Sequence, residues 1–469
     1  MFSHFLASQI KQNFPYQPTL EQENVANALS DFLTSPNRHS VFLLTGYAGT
    51  GKTTLLSALV RTLGGLSRRC VLLAPTGRAA KVFSQYSGHS AYTIHRWIYH
   101  SDQDGSFALA ENRNQDTLFI VDEASMISSE PAFSYEHFSH SLLDDLISYV
   151  YQDGQGCRLV LMGDTAQLPP VGQTDSPALT PSCLREYGLE VFLGSLTQVV
   201  RQRDQSGILE NATHLRNVLS GGEVDVLPKL RTSGFLDIVP ISGGELIDTL
   251  ERCYDRDGQE ETIVITRSNK NANIYNNGIR GRILYREEPL ETGDVLMVAR
   301  NNYFWTKQEK SVPFLANGEM ARVVRVGRQR DLYGMSFQEA DLELLAQEGM
   351  EVHANLMLST LQTDTPALSS EQRQDLFNKV SQDYPECTSR SQLYATLRQD
   401  PYLNALQVKY AYAVTCHKAQ GGQWRNVILD HGFLREDQLG RDYYRWLYTA
   451  VTRATERLYI VNYPKEYLL

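Results

Sequence analysis

Residues 46–53 combine glycine, lysine and threonine at the spacing of a phosphate-binding loop. They read Gly-Tyr-Ala-Gly-Thr-Gly-Lys-Thr, fit the pattern GxxxxGK[ST], and stand between an apolar run at 41–44 and a helix-like stretch, the context that supports such a match. Backbone N–H groups of the loop would surround phosphate, the Lys52 ammonium would reach the β and γ phosphates, and the Thr53 hydroxyl would hold Mg²⁺. The predicted nucleotide contacts here are Gly46, Ala48, Gly49, Thr50, Gly51, Lys52, Thr53 and Thr54.

Two adjacent carboxylates, Asp122 and Glu123, end the apolar run at 118–121. The carboxyl ends of parallel strands meet at one edge of a sheet, so both side chains should emerge near the loop. Asp122 would order the Mg²⁺ shell and Glu123 would polarise an attacking water, the roles that phosphoryl transfer requires. A solvated acidic pair and a glycine-rich turn without nucleotide are the plainer alternatives. The two features together favour nucleotide hydrolysis.

Length and composition limit the class of protein. A chain of 469 residues exceeds the size at which a single core stops growing, so two or more domains are expected. Its hydrophobic fraction of 42% is ordinary for globular proteins, and no run approaches the roughly 18 apolar residues of a membrane span. The net charge of −10 does not indicate a polyanionic partner, although a local row of cations can still bind one. Six dispersed cysteines without a CxxC pair fit neither a disulfide framework nor a zinc site, and a cytoplasmic location is expected.

The order of apolar runs predicts an α/β fold. Short apolar strands alternate with helical stretches in the first part, which is typical of a parallel sheet covered on both faces. A second lobe of the same kind begins near 261–269 and resumes far downstream, after a β-rich stretch with turn glycines. The predicted units are a first lobe at 1–200 with a small insertion at about 98–115, a second lobe at 201–287 and 405–469, and an insertion at 288–404 whose part from about 336 to 401 is polar and helical.

An ordered series of motifs surrounds the loop. They are TLEQ at 19–22, APTGRAAK at 74–81, SAYTIHRW at 90–97, VDEAS at 121–125, GDTAQLPPVG at 163–172, LTQVVRQ at 196–202, YAVTCHKAQGGQW at 412–424 and YTAVTRA at 448–454. In this order the motifs resemble the superfamily 1B helicases of the RecD and Dda type, over most of residues 19–463. The resemblance implies two RecA-like parallel-sheet lobes with an SH3-like module inserted in the second.

The resemblance also implies roles for single residues around the nucleotide. Gln22 would read adenine, Gln167 would sense the γ-phosphate, and Gly421 would contact the nucleotide. Arg201 and Arg453 would reach the γ-phosphate from the second lobe. A planar, permanently charged guanidinium suits the charge that spreads over phosphoryl oxygens in the transition state.

The track for a polynucleotide follows from the same resemblance. Its predicted contacts are Thr76, Gly77, Lys81, Thr93, His95, Thr415, His417 and Lys418. Hydroxyls, imidazole and backbone amides bind phosphate and sugar with little regard for sequence. Tyr92, Trp97 and Trp424 are candidates for base stacking, with burial in the core as the alternative.

The predicted function is an ATP-dependent, Mg²⁺-requiring DNA helicase that moves on single-stranded DNA and opens duplex junctions. A 5′→3′ direction, a monomeric state and a part in DNA repair or recombination are expected from the resemblance alone. The short polar stretch near 99–114, where relatives carry a strand-splitting pin, makes translocation better supported than unwinding. An RNA helicase, a strand-stimulated ATPase and a nucleotide-gated binding module without processive motion stay open as alternatives.

Overall fold

A computed structural model describes residues 2–101, 107–131, 141–152, 155–199, 206–306, 314–347, 349–387 and 389–469 of the chain. The first lobe contains seven α-helices and eight strands within the described residues. They are α1 (Phe2–Gln12), α2 (Leu20–Thr34), β1 (Ser40–Gly46), α3 (Lys52–Gly65), β2 (Cys70–Ala74), α4 (Gly77–Ser87), β3 (Ala91–Thr93), α5 (Ile94–Ile98), β4 (Tyr99–Ser101), β5 (Phe107–Leu109), β6 (Leu118–Val121), α6 (Leu142–Val150), β7 (Arg158–Gly163), α7 (Pro181–Glu186) and β8 (Glu190–Leu196).

Six of these strands form a parallel sheet in the order β3-β2-β6-β7-β1-β8. Every residue of β6 and β7 is buried, because helices cover both faces of the sheet. Two separate apolar clusters fill the two faces. This arrangement confirms the predicted α/β class, and it brings the carboxyl ends of β1, β2, β6 and β7 to one edge. β4 and β5 pair as a separate antiparallel hairpin.

The chain then begins the second lobe and leaves it for a closed five-stranded barrel. These elements are α8 (Gly207–Leu219), β9 (Ile238–Ile241), α9 (Leu246–Asp257), β10 (Thr262–Thr266), α10 (Asn269–Arg282), β11 (Val295–Val298), β12 (Met320–Leu332), β13 (Met335–Leu344), β14 (Glu351–Met357), α11 (Ser370–Ser381), α12 (Arg390–Leu397) and β15 (Leu406–Tyr410). The barrel joins β11 to β15 in a ring. It confirms the predicted β-rich insertion.

The helical assignment of residues 336–401 is wrong for its first part, which consists of the strands β13 and β14. Along β13, Phe337, Ala340, Leu342 and Leu344 are buried and polar residues alternate with most of them. A half-buried strand places every second residue outside, so its composition looks polar. The helices α11 and α12 follow and share an apolar cluster with the end of the β12–β13 hairpin. The last barrel strand, β15, lies beyond the predicted limit at 404.

The second lobe ends with β16 (Ala413–Thr415), α13 (Cys416–Ala419), β17 (Trp424–Asp430), α14 (Arg441–Val451) and β18 (Ala454–Val461). Its five-stranded parallel sheet has the order β16-β10-β17-β18-β9. The strands that flank the insertion, β10 and β16, are direct neighbours. None of the helices in the described ranges combines the length and apolar character needed to cross a bilayer.

A buried carboxylate joins the barrel to the second lobe. Asp294, directly before β11, is fully buried and pairs with the guanidinium groups of Arg280 at 2.9 Å and Arg286 at 2.6 Å. The Tyr412 hydroxyl donates a hydrogen bond to the same carboxylate at 2.9 Å. Residue 280 precedes the barrel in the sequence and residue 412 follows it. The Asp294 carboxylate therefore holds together the segment by which the chain leaves the second lobe and the segment by which it returns.

Candidate functional site

The predicted phosphate-binding loop links β1 to α3 and is shaped by two glycines in the left-handed region. Gly49 has φ +77° and Gly51 has φ +84°, and a side chain on Gly51 would stand 2.5 Å from the Gln22 amide nitrogen. Glycine adopts this conformation without the steric penalty of other residues. The Lys52 ammonium donates hydrogen bonds to the carbonyl oxygens of Gly46 at 2.6 Å and Tyr47 at 3.0 Å. The lysine thus lies across the loop. The other loop residues assigned to nucleotide, Ala48, Thr50, Thr53 and Thr54, lie in or directly after the same turn.

Gln22 is buried behind the loop. Its side-chain nitrogen donates to the Thr50 carbonyl at 3.2 Å, and its side-chain oxygen accepts from the Thr19 backbone at 3.0 Å. The second contact is part of a capping box that begins α2. Each polar atom of the amide therefore has one protein partner, and each keeps a second hydrogen-bonding position.

Asp122 and Glu123 follow β6 at the same edge of the sheet. Glu123 has φ +52°, and its backbone N–H donates to an Asp122 carboxylate oxygen at 2.7 Å. Burial, together with the charge of Glu123, raises the pKa of Asp122 to about 7. The positive charges of Lys52 and Arg453 act in the other direction, because they favour the ionised form of Asp122. A bound cation at this carboxylate would relieve the cost of burying its charge.

Mg²⁺ fits the donors at this edge. The Thr53 hydroxyl and the Asp122 carboxylate are hard oxygen donors, and Mg²⁺ commonly binds one or two protein groups and completes its shell with water and phosphate. Within the residues that the structure describes, no group of three or more His, Cys, Asp or Glu side chains forms a separate metal site.

The second lobe supplies an arginine to this edge. Arg453, which follows α14, is 2% exposed and its guanidinium nitrogen lies 3.9 Å from a Glu123 carboxylate oxygen. Hydrogen bonds to the carbonyl oxygens of Thr449 at 3.0 Å and Gly422 at 3.1 Å hold the side chain in place. The other predicted arginine, Arg201, lies outside the described residues.

A tyrosine hydroxyl connects the two lobes next to the loop. Tyr448 of α14 donates to Asp164 at 2.5 Å and accepts from the Ala48 backbone N–H at 3.0 Å. Burial raises the pKa of Asp164, while Lys52 and this hydrogen bond oppose the shift. The sequence motifs contain both residues, but sequence reasoning assigned neither of them, because residues 164 and 448 contact only after the lobes meet.

Gln167 lies at the same junction with an unpaired acceptor. It is 5% exposed, and its side-chain oxygen is buried without a hydrogen-bond partner. The backbone N–H of the next residue, Leu168, donates to the Thr449 hydroxyl at 2.9 Å, and the Leu168 carbonyl accepts from the Gln420 side-chain amide at 2.6 Å. Buried polar atoms are normally paired, so this amide is suited to a polar group of a ligand. Gly421, with φ +69°, packs instead against Thr76 and Ala79 of the first lobe.

Several predicted track residues of the first lobe line one cleft. The cleft measures about 420 Å³, and its walls include Gly77, Lys81, Tyr92 and Thr93 of this lobe. The barrel forms the opposite wall, and Lys81 donates to the carbonyl of its residue Leu345 at 2.7 Å. Thr76 and Thr93 use their hydroxyl groups to cap α4 and α5.

His95 lies apart from this cleft. Its ring packs against Tyr99 and Phe314, with ring centroids 5.7 and 5.9 Å away. Burial lowers the pKa of His95 to about 4, so the ring is neutral at pH 7. A neutral imidazole can donate one hydrogen bond but offers phosphate no charge.

The remaining track residues stand at β16 and α13 of the second lobe. Thr415 and Lys418 line a smaller cleft together with Lys409, which sequence reasoning did not assign. Burial lowers the pKa of Lys418 to about 8 and, aided by the neighbouring charge of Lys418, that of Lys409 to about 8. His417 reaches the surface, and its pKa is lowered by desolvation.

The three candidate stacking rings differ in position. Trp424 is 2% exposed, and the Arg78 guanidinium of the first lobe lies 3.9 Å from its ring centroid. This burial agrees with the core alternative for Trp424. Tyr92 and Trp97 contact each other at 5.0 Å, and only Tyr92 lines the large cleft.

Comparisons with known proteins match both lobes. The model of an AAA domain matches residues 21–239, and that of a UvrD-like helicase C-terminal domain matches residues 410–461. The ATP-dependent RecD2 DNA helicase of Deinococcus radiodurans is 25% identical over 429 residues, 90% of this chain and 47% of that protein. The ATP-dependent DNA helicase dda of Enterobacteria phage T4 is 24% identical over 317 residues, 65% of this chain and 66% of that protein. The chain thus spans about half the length of RecD2.

The chain thus combines an AAA domain with a UvrD-like helicase C-terminal domain, and it is similar to DNA helicases of the RecD and Dda type. Among solved structures, Pif1 helicase from Bacteroides in complex with ADP-AlF3 and ssDNA is similar at 17% identity and a TM-score of 0.46, over 96% of this chain and 94% of that one. The two matched segments contribute the two sides of the junction described above.

Proposed function

We propose that this chain is an ATP-dependent DNA helicase that hydrolyses ATP between its lobes and uses the cycle to move along single-stranded DNA. The observation that carries the proposal is the approach of Arg453 to Glu123 across the lobe junction, at 3.9 Å. A cation from one lobe next to the carboxylate of the other makes hydrolysis dependent on lobe closure.

Each residue at the junction has a proposed task. Lys52 would leave its two carbonyl partners and bind the β and γ phosphates. Glu123 would orient and polarise the attacking water, and Arg453 would stabilise the charge that develops on the transferred phosphoryl group. Gln167 would offer its unpaired side-chain oxygen to that water or its amide to the γ-phosphate. Bound Mg²⁺, held by Thr53 and Asp122, would supply positive charge to the phosphate oxygens.

The proposed track runs over the barrel-side clefts of both lobes. Gly77, Lys81 and Thr93 would contact the strand on one side, and Thr415, His417 and Lys418 on the other. Lys81 and Lys418 now bond to Leu345 and Asn317 of the inserted module. Phosphates of a strand would replace these neutral acceptors with charged ones, which form stronger hydrogen bonds. Contacts of this kind are tolerant of base sequence.

A strand-displacement assay tests the activity and its direction together. Duplexes that carry a 5′ or a 3′ single-stranded tail are incubated with the protein, ATP and Mg²⁺, and the released strand is measured. We expect release from the 5′-tailed substrate, in line with the 5′→3′ direction. Release from the 3′-tailed substrate alone would contradict the 5′→3′ direction. Strand-stimulated ATPase activity without any strand release would indicate a translocase that does not unwind duplexes.

The choice between DNA and RNA needs a matched comparison. No residue named above distinguishes the two, because the 2′-hydroxyl is accepted or rejected by the shape of the pocket around the sugar. ATPase rates with DNA and RNA oligonucleotides of one sequence provide the measurement. We expect stronger stimulation by DNA, and equal or stronger stimulation by RNA would favour the RNA helicase alternative.

A further inference from the structure

A cavity lies at the amino-terminal edge of the first lobe's sheet, opposite the predicted phosphate-binding loop. β2, β6 and β7 begin there and end at the nucleotide edge. A strand rises about 3.3 Å per residue, so the six residues of β7 separate the two edges by roughly 17 Å. The cavity at this edge measures about 60 Å³. Its lining belongs to none of the motifs that define the helicase.

Four arginines gather around this cavity, Arg38, Arg68, Arg69 and Arg158. Asp116 is the only carboxylate among the lining residues of the described chain, and it lies 3.8 Å from Arg38. Arg68 and Arg69 are exposed, and neither has a side-chain hydrogen bond or ion pair among the described residues. In a chain with a net charge of −10, such a local excess of positive charge favours an anionic partner.

Arg158 is the buried member of this arginine cluster. It is 3% exposed, and its two terminal nitrogens donate to the carbonyls of Phe32 and Ser35. Its Nε is buried without a partner. Burial lowers the pKa of Arg158, and the nearby charge of Arg38 adds to the shift. An anion in the cavity would pair the free N–H and relieve the repulsion between the two guanidinium groups.

The other walls of the cavity are apolar. Phe2 of α1, Leu33 of α2 and Leu63 of α3 contribute to them, and Phe2 is 53% exposed. A nucleic-acid backbone would use the arginines but would leave this apolar wall without a complement. A peptide with carboxylates and one large apolar side chain uses both, because guanidinium binds carboxylate in a bidentate manner and a buried apolar anchor contributes most of the affinity of small interfaces.

We propose that this edge is a docking site for an acidic peptide segment of a partner protein, with one carboxylate entering the cavity at Arg158, further carboxylates on Arg38, Arg68 and Arg69, and an apolar side chain packed on the exposed Phe2. The site stands apart from the ATP junction and the strand clefts. It attaches the motor to another protein while both of those sites stay accessible.

Fluorescence anisotropy with a labelled peptide tests the site. The probe carries four aspartates followed by a carboxy-terminal phenylalanine, and it is titrated with the full chain at low salt. We expect binding in the range of about 10 μM, since two to three paired carboxylates and one apolar anchor are typical of weak interfaces. Arg68→Glu/Arg69→Glu should weaken it by tenfold or more, and replacing the phenylalanine by serine should weaken it similarly. Arg328→Glu/Arg330→Glu is the matched control, because both residues are exposed on β12, and it should bind the peptide as the unmodified chain does.

Three results would overturn the proposal. The first is that the peptide does not bind at about 100 μM, and the second is that Arg68→Glu/Arg69→Glu binds it as well as the unmodified chain does. The third is that single-stranded or duplex DNA displaces the peptide and that the same variant loses affinity for DNA. The last result would assign the arginines to nucleic acid. ATPase activity of the variant is measured in parallel and should be unchanged. Absence of ATPase activity in the unmodified chain would contradict the proposed helicase function, but the peptide titration would still test the docking site.

Discussion

At the scale of single residues, the charge state of the lobe junction beside the predicted phosphate-binding loop depends on which charged groups are buried. Asp164 is buried and Asp122 is half-buried, and burial raises the pKa of each carboxyl group. Lys52 and Arg453 oppose these shifts for Asp122 from the two different lobes. Both cations therefore favour the charged form of Asp122, and removal of either one should change the chemistry more than the fold.

Arg453→Ala should reduce strand-stimulated ATP hydrolysis by about 10³-fold or more, the effect typical of losing an arginine that stabilises phosphoryl transfer. ATP affinity should change far less, since the residue acts on the transition state. The measurements are steady-state ATPase rates and equilibrium binding of a fluorescent ATP analogue. Arg457→Ala, an exposed position on β18, is the control. An unchanged rate in Arg453→Ala would show that the second lobe does not complete the site.

Glu123→Gln should still bind ATP, but its rate of ATP turnover should fall by about 10²- to 10³-fold. The reason is that the amide cannot polarise the water as the carboxylate does. Single-turnover hydrolysis separates this from a defect in product release. Glu130→Gln, at an exposed position after the same strand, should behave as the unmodified chain. Turnover at the normal rate would remove Glu123 from its proposed role.

At the scale of elements, the inserted barrel supplies walls and hydrogen-bond partners to both track clefts. Lys81 of α4 bonds to Leu345, and Lys418 of α13 bonds to Asn317. The insertion is fixed to its own lobe by Asp294, which pairs with Arg280 and Arg286. The position of the barrel thus decides how far these lysines are removed from water.

Strand affinity should fall as pH rises through about 8. Burial lowers the pKa of Lys418 to about 8 in the free protein, and a phosphate contact would raise that pKa, so binding takes up a proton and weakens once the free amine is neutral. Anisotropy of a labelled oligonucleotide between pH 7 and 9 at constant ionic strength measures the effect. Lys418→Met should bind more weakly with a shallower pH dependence, and Lys465→Met, at an exposed site, should keep the full dependence. A slope unaltered by Lys418→Met would assign the titration to another group.

Asp294→Ala should lower the free energy of unfolding by about 3–5 kcal/mol, the usual cost of leaving buried charges without their partner. Arg280 and Arg286 would both lose their carboxylate, and the Tyr412 hydroxyl its acceptor. Urea denaturation measures the change. Asp331→Ala, on the exposed end of β12, should cost less than about 1 kcal/mol. Equal stabilities for the two variants would show that the buried cluster is not what joins barrel and lobe.

At the scale of the whole molecule, the two lobes meet through several polar contacts and through a small apolar contact made by Ala166 and Leu168 of the first lobe. Beside Tyr448 and Arg453, the Arg78 guanidinium donates to the Gln423 carbonyl at 2.6 Å and lies over Trp424. Arg445 of the second lobe pairs with Asp175 of the first at 2.8 Å. Contacts of this kind can be broken and remade at moderate cost, as cyclic opening requires.

Arg78→Ala should shift the molecule towards open lobes. Loss of the cation–π contact and its hydrogen bond removes about 1–2 kcal/mol from the closed form, which is roughly a tenfold change in the closed-to-open ratio. Fluorescence energy transfer between dyes on the two lobes measures it, with a raised KM for ATP as the functional result. Arg61→Ala, on the exposed side of α3, is the control. An unaltered distance distribution in Arg78→Ala would contradict this account of closure.

Patterns along the chain were enough to predict a phosphate-binding loop, the parallel-sheet class and the order of the motifs. Each depends on residues that are close in the chain: the glycines of 46–51, the buried runs that became β1, β6 and β7, and the carboxylates directly after β6. Period and spacing are local properties, so they can be recognised without knowledge of the fold. The same reasoning failed for β13 and β14, because a strand with one solvated face has a polar average composition.

Which distant residues meet became visible in the folded chain. Tyr448 reaches Asp164 and Ala48, Lys81 reaches Leu345, and arginines at 38, 68, 69 and 158 converge on one cavity. The lowered pKa of Lys418 likewise depends on burial beneath elements far away in sequence. Contacts between residues hundreds of positions apart, and the desolvation they cause, are set by how the lobes and barrel pack. The spacing of residues along the chain does not predict how the lobes and the barrel pack against one another.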